Sequence, residues 1–236
     1  GYTLDVTRGD EVWNSSQVWY MPFDDMDDPV TDEISMWPWR EAYYTINVCN
    51  FILSRITGDD ASLSESMKRI KGQALFLRGY SYYTLAGYYQ NPALITDYAN
   101  YSSLDGLYGK NSTYDDVLDQ VEKDFAEAMT LLPSRDAGGE WAKGRATCGA
   151  AAGYYARTLM QRHKYSDALT VLKDIMNKKY GSYKLMANYG DNFREGSAYE
   201  NNAESLFEIQ YLDYGSQGVD DEWTPVNTSP NATQGH

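Results

Sequence analysis

Residues 147–178 read TCGAAAGYYARTLMQRHKYSDALTVLKDIMNK. Two helical patterns, about Thr147 to Arg162 and about Ser166 to Lys178, flank the short connection His163-Lys164-Tyr165. A link this short makes them an antiparallel hairpin. Ala152, Tyr155, Ala156 and Leu159, then Ala168 and Leu172, follow the tetratricopeptide pattern. Small Ala156 and Ala168 should face each other where the helices cross, with Tyr155, Leu159 and Leu172 filling the groove.

The same period runs backwards along the chain. Trp39, Tyr43, Ile46, Cys49, Leu53 and Ile56 recur at three or four residues, one face of a helix that Gly58 stops. Ser62 with Glu65 fits a capping box for a second helix. Its stripe is Leu63, Met67, Ile70, Ala74, Leu77, Ser81, Leu85 and Tyr88, and Asn91-Pro92 ends it. Gly72 and Gly79 inside it each cost about 1 kcal/mol against Ala, so they imply a neighbouring helix at close range. Residues 91–112 read as a long loop. Ser112 is the expected N-cap of a third helix, striped by Tyr114, Val117, Val121, Phe125, Ala128 and Leu132. Beyond the hairpin, Leu206-Phe207-Glu208-Ile209-Gln210-Tyr211 alternates apolar and polar and predicts one strand. The fold expected is all-α: tetratricopeptide-like antiparallel helix pairs, long irregular loops and at most a little β-strand. It is expected as a single domain over 1–236, incomplete at both ends, with an irregular ligand-facing segment at 1–35, a helical scaffold at 36–178, and loops with one strand at 179–236.

Composition narrows the function classes. The 236 residues carry a net charge of −14, which argues against nucleic acid and anionic lipid as partners, since both require a Lys/Arg footprint. Apolar runs stay below the ~18 residues of a membrane span. Cys49 and Cys148 lie in helical patterns and read as small buried hydrophobes. The chain holds 22 Tyr, 6 Trp and 6 Phe, 14% of its residues, more polar-tipped rings than a core needs. Some of them should lie on a surface that stacks against something.

Catalytic and metal signatures are weak. Asp24-Asp25-Met26-Asp27-Asp28 lacks the spacing of a calcium loop and reads as a solvated acidic segment. Gly144-Arg145-Ala146-Thr147 opens a helix and reads as a loop glycine, a surface arginine and a threonine N-cap. The only histidines are His163 and His236, and no cofactor is expected. The segment Thr7-Arg8-Gly9-Asp10-Glu11-Val12-Trp13-Asn14, followed by Trp19-Tyr20, interleaves guanidinium, carboxylate and amide groups with large rings. Sugars offer CH faces to flat rings and hydroxyls to planar polar groups, and binding residues concentrate on loops held by a rigid frame. Two readings stand side by side: these rings bind a guest, or Trp13 and Trp19 plug the helical core.

Four stretches together resemble the SusD/RagB family of bacterial outer-membrane nutrient-binding lipoproteins. Residues 39–50, WREAYYTINVCN, are like the family's Trp…Tyr…Ile…Asn helix, and residues 70–83, IKGQALFLRGYSYY, are like its Gly-Glu-Ala-Arg-Phe-Leu-Arg-Ala-Tyr helix. Gly144-Arg145-Ala146-Thr147 with Gly149-Ala150-Ala151 is similar to its Gly-Arg-Ala-Thr helix start, and residues 204–210, ESLFEIQ, to its Glu-Ser-Ile-Phe-Glu-Ile strand. The resemblance implies a non-catalytic, lipid-anchored protein of the outer-membrane surface. Such a protein captures glycans, or in some members peptides, for a SusC-like TonB-dependent transporter. Family members are longer, so the chain reads as an internal fragment whose lipid anchor lies outside it. The family's sugar-contacting Arg-Gly-rich stretch matches Arg8, Asp10 and Trp13, with Asn14, Trp19 and Tyr20 nearby; Glu11-Val12 separates Asp10 from Trp13 where some relatives have the two adjacent. Arg78 reads as a structural ion-pair partner, and Gln73, standing where the family usually has Glu, as a change that weakens such pairing. The alternative function is a helical repeat that binds peptide or protein and has no affinity for sugar.

Overall fold

The computed structural model describes residues 33–103, 106, 109–194 and 198–209. Among the described residues five long helices follow in order: α1 (Glu33–Arg55), α2 (Glu65–Tyr89), α3 (Tyr114–Leu131), α4 (Cys148–Gln161) and α5 (Tyr165–Met176). Each packs on the next, as in a stack of helical repeats.

α1 buries Ile46 and Cys49 of its predicted stripe, together with Ala42 outside it, and ends at Arg55, ahead of Gly58, whose φ of +101° suits glycine. α2 begins two residues later than the expected capping box places it. Its N-cap is Ser64, whose hydroxyl accepts from the Met67 N–H at 3.3 Å. Ser62 instead sits in a 3-10 turn and donates to the Asp59 carbonyl at 2.6 Å. α2 lies between α1 and α3, so its buried residues spread round the helix: Leu75, Phe76 and Tyr82 are inside, while Ile70 and Leu77 of the predicted stripe are exposed. Gly72 and Gly79 mark close approaches. A Cβ at Gly72 would lie 2.8 Å from Leu132 Cδ2, and one at Gly79 would lie 3.2 Å from Asp124 Cβ.

α3 is capped by Thr113, which accepts from the Asp116 N–H. Ser112, the expected cap, accepts from the Leu94 N–H at 3.1 Å and ties the preceding loop back. The α4–α5 hairpin forms with Thr147 as N-cap of α4. Ala152, Ala156, Leu159, Ala168 and Val171 make its core. Leu172 is exposed and Val171 takes its expected place, because the stripe of α5 that faces α4 is set one residue earlier than the pattern predicts. On the α3 side, Glu122 accepts from Arg162 at 2.8 Å and from Lys164 at 2.9 Å, binding the hairpin to the rest.

The predicted strand is corrected: among the described residues, 206–209 form none, and Gln210 and Tyr211 lie outside them. The turn that leads into the segment is held by side chains. Arg135 donates to the carbonyls of Asn201, Asn202 and Ser205, each at 3.0 Å. The Asn202 side chain accepts from the N–H groups of Glu204 and Ser205. The segment plugs the bundle instead. Phe207 meets Phe76 at 5.0 Å between centroids, beside Phe125 and Tyr154, and Leu206 fills the space left by Gly153.

One buried ion pair crosses the middle of this core. The Arg78 guanidinium holds Asp124 with two bonds, Nε to Oδ2 at 2.8 Å and Nη2 to Oδ1 at 2.7 Å. Its remaining donor, Nη1, reaches Asn50 Oδ1 at 2.8 Å and the Thr96 carbonyl at 3.3 Å. Gln120 donates to the same carboxylate at 2.7 Å. Gln73 takes no part in this pairing, contrary to expectation; its amide donates to the Ala146 carbonyl at 2.5 Å and fastens α2 to the start of α4. Arg78→Met leaves Asp124 buried without its partner and is expected to cost about 3–5 kcal/mol in urea unfolding followed by circular dichroism. Adding Asp124→Leu should restore at least about 1 kcal/mol of that loss, a coupling a double-mutant cycle reads directly.

Candidate functional site

The predicted ligand-facing residues Arg8, Asp10, Trp13, Asn14, Trp19 and Tyr20 lie outside the described residues, as does the acidic cluster 24–28. What the described residues define is the helical frame, two surface features on it, and polar groups that serve structure.

The first feature is the loop after α2. Tyr82 both donates to the Ile95 carbonyl and accepts from the Ile95 N–H, each at 2.8 Å. Asn50 donates to the same carbonyl at 2.7 Å, Tyr43 to that of Ala93 at 2.6 Å, and Arg78 to that of Thr96. Burial pushes the Tyr43 and Tyr82 hydroxyls well above the usual tyrosine range, so both remain proton donors. Residues 93–96 are thereby fixed to α1 and α2, and the turn that follows (Tyr98–Ser102) is presented on a rigid base. Sequence periodicity left this stretch as a plain loop. The signal that could have found it is the set of polar residues Asn50 and Arg78 on otherwise apolar helix faces.

The second feature is a groove of about 540 Å³ between α1 and α2. Tyr44, Val48, Ile52, Ile70 and Leu77 line it, and at one end Arg69 lies 5.6 Å over the ring of Trp141. It is a mainly apolar cleft, with Arg69, Glu140 and Arg145 among its lining.

Several further polar groups serve structure. Arg145 pairs with Glu140 at 3.1 Å and Thr147 caps α4, so the Gly144–Thr147 turn is the loop, surface arginine and cap that the sequence predicts. His163 Nδ1 pairs with the Tyr165 hydroxyl at 2.6 Å. Among the described residues, no three His, Cys, Asp or Glu side chains come together as a metal site. Asp119 and Glu122 serve Arg162, Glu127 serves Lys71, and Asp124 serves Arg78. Burial pushes the Asp124 carboxyl above its ordinary range against the pull of that guanidinium.

Comparison with known proteins identifies the frame. A family model of SusD-like proteins, described as starch-binding and associating with the outer membrane, matches residues 2–160. The chain belongs to this SusD-like family. It is similar to the crystal structure of a SusD superfamily protein from Bacteroides vulgatus, at 24% identity and a TM-score of 0.78, covering 89% of this chain and 44% of that one. It is also similar to a SusD-like carbohydrate binding protein from Bacteroides fragilis, at 26% identity and a TM-score of 0.69, covering 87% and 38%. Surface glycan-binding protein A from Bacteroides uniformis shares the fold at 20% identity and a TM-score of 0.74, covering 89% and 47%. The chain thus spans less than half the length of each of these structures. No curated protein matches it.

Both cysteines are free and buried, as predicted. Burial pushes the Cys49 thiol up to about 11, with the nearby Arg78 charge pulling the other way. At pH 8 the thiolate fraction of Cys49 is then about one in a thousand. Native protein should therefore resist iodoacetamide at Cys49 at pH 8, urea-unfolded protein should react fully, and mass spectrometry of the alkylated peptide reads the difference.

Proposed function

We propose that this chain is part of a cell-surface protein that binds glycans and passes them to a SusC-like, TonB-dependent outer-membrane transporter. The observation that carries the reading is the family match over residues 2–160, whose description joins starch binding to the outer membrane. The carbohydrate- and glycan-binding names of the similar structures support it, as does the ring-rich composition. The glycan is held without chemical change. The proposed contacts are the rings of Trp13, Trp19 and Tyr20, with Arg8, Asp10 and Asn14 pairing hydroxyls. The protein sits at the outer membrane through a lipid anchor. Among the described residues no helix is long and apolar enough to cross a membrane.

Affinity in the millimolar to micromolar range, about 4 to 8 kcal/mol, suits a capture protein that must release its guest. Native electrophoresis through gels containing soluble starch or laminarin tests the reading. Trp13→Ala or Trp19→Ala in the full-length protein should weaken retardation about tenfold, the loss of one ring platform worth ~1.4 kcal/mol. Unchanged retardation in both variants would remove these residues from the site, and sustained release of new reducing ends by pure protein would overturn the non-enzymatic reading.

The α1–α2 groove favours a second reading, a module that binds an amphipathic peptide. Isothermal titration against peptide and oligosaccharide pools separates the two readings. Heat from peptides alone, abolished by Val48→Asp, would favour the groove.

A further inference from the structure

We propose a second sugar platform, outside residues 1–32, where the Phe51 end of α1 meets the turn Tyr98–Ser102; this rests on the glycan reading above. The turn belongs to Asp97-Tyr98-Ala99-Asn100-Tyr101-Ser102-Ser103, a stretch of tyrosine, asparagine and serine. Recognition loops favour this composition, because tyrosine supplies rigid contact area at low entropic cost while serine and asparagine supply adaptable hydrogen bonds. The Asp97 carboxylate accepts from the Ala99 N–H at 2.9 Å, and Ser102 donates to the Ala99 carbonyl at 2.6 Å, so the turn closes on itself. Its base is the stretch fixed by Tyr82, Asn50 and Arg78. A platform held this firmly has little ordering entropy left to lose on binding.

The rings are accessible. Phe51 is 41% exposed and Tyr98 37%, and they meet edge to face at 5.2 Å. Tyr101 backs Tyr98 at 5.8 Å and holds it in place. One helical turn beyond Phe51, the Arg55 guanidinium lies 4.9 Å over the phenyl ring and forms no ion pair among the described residues. One turn before Phe51, Asn47 Oδ1 is buried with no hydrogen-bond partner among the described residues.

A partly exposed phenyl on a helix needs no explanation by itself. Here it adjoins a second exposed ring, a guanidinium without an ion pair among the described residues, and a braced polar turn, which together suit a pyranose. The CH face of the sugar stacks on Tyr98, and its hydroxyls reach Arg55 and the amide and hydroxyls of the turn. With net charge −14 around it, the site takes neutral sugars in preference to polyanionic ones. Loss of one stacked ring here should weaken binding about threefold, as expected for a half-exposed aromatic contact.

The test uses the full-length protein in native gels containing laminarin or soluble starch, with melting temperatures measured alongside. Tyr98→Ala and Arg55→Ala should each weaken retardation by at least about threefold, and Tyr98→Phe should keep it, because the ring remains. Arg55 lies outside the braced turn, so its variant reports on binding even where Tyr98→Ala lowers the melting temperature. Wild-type retardation by both alanine variants, with Trp13→Ala defective, would overturn this platform and leave the glycan reading standing. Wild-type protein that neither polysaccharide retards would overturn both.

Discussion

The Arg78–Asp124 pair is the constraint around which the rest is arranged. A guanidinium and a carboxylate this deep are tolerated only when nearly every donor and acceptor is used, since the desolvation of each ion costs several kcal/mol. The structure meets that demand with Asn50 from α1, Gln120 and Asp124 from α3, and the Thr96 carbonyl from the loop after α2. Three helices and a loop are thereby referred to one side chain. Gly79, one residue along α2 from Arg78, lets α3 approach closely enough for the pair to form.

This arrangement explains how a helical stack can carry irregular loops without losing definition. Apolar helix packing is non-directional, and it alone would leave residues 93–96 free to slide. Tyr82, Asn50, Tyr43 and Arg78 fix their carbonyls individually. Arg135 does the same for Asn201, Asn202 and Ser205, so that Phe207 is delivered to Phe76. In both places side chains from helices or short turns do the work that a β-sheet ladder does elsewhere. Binding surfaces on such loops are pre-organised by the frame.

Much of this was legible before any coordinates. The three- and four-residue spacing located all five helices, and the glycines at 72 and 79 announced the close packing against α3 and the residues that end it. The small residues Ala156 and Ala168 announced the hairpin. The misreadings share a cause. Ser62 and Ser112 satisfy the cap pattern as well as Ser64 and Thr113 do, and only the path of the incoming chain selects between neighbours. Leu206–Ile209 alternates as a strand does, but among the described residues no strand is formed, and a partly buried phenylalanine packed on Phe76 satisfies the same alternation. Leu172 lost its expected place to Val171 because helical periodicity locates a face only to within about a residue. Of the candidate site, the sequence named rings and polar groups within residues 8–20, and it treated the Tyr98 turn as connection.

The sequence by itself determined the helical class, the order of the elements, the structural use of both cysteines and the kinship with SusD-like proteins. These depend on periodicity, composition and local motifs, which are properties of neighbours along the chain. Tertiary structure alone decided which acid Arg78 would hold, which carbonyls the tyrosines would seize, and which aromatic rings would remain facing solvent. Each of those choices joins residues tens of positions apart, such as Arg78 with Asp124 or Phe51 with Tyr98. Partners at that separation are selected by packing geometry, since many acids and many rings would serve equally well as far as local chemistry is concerned.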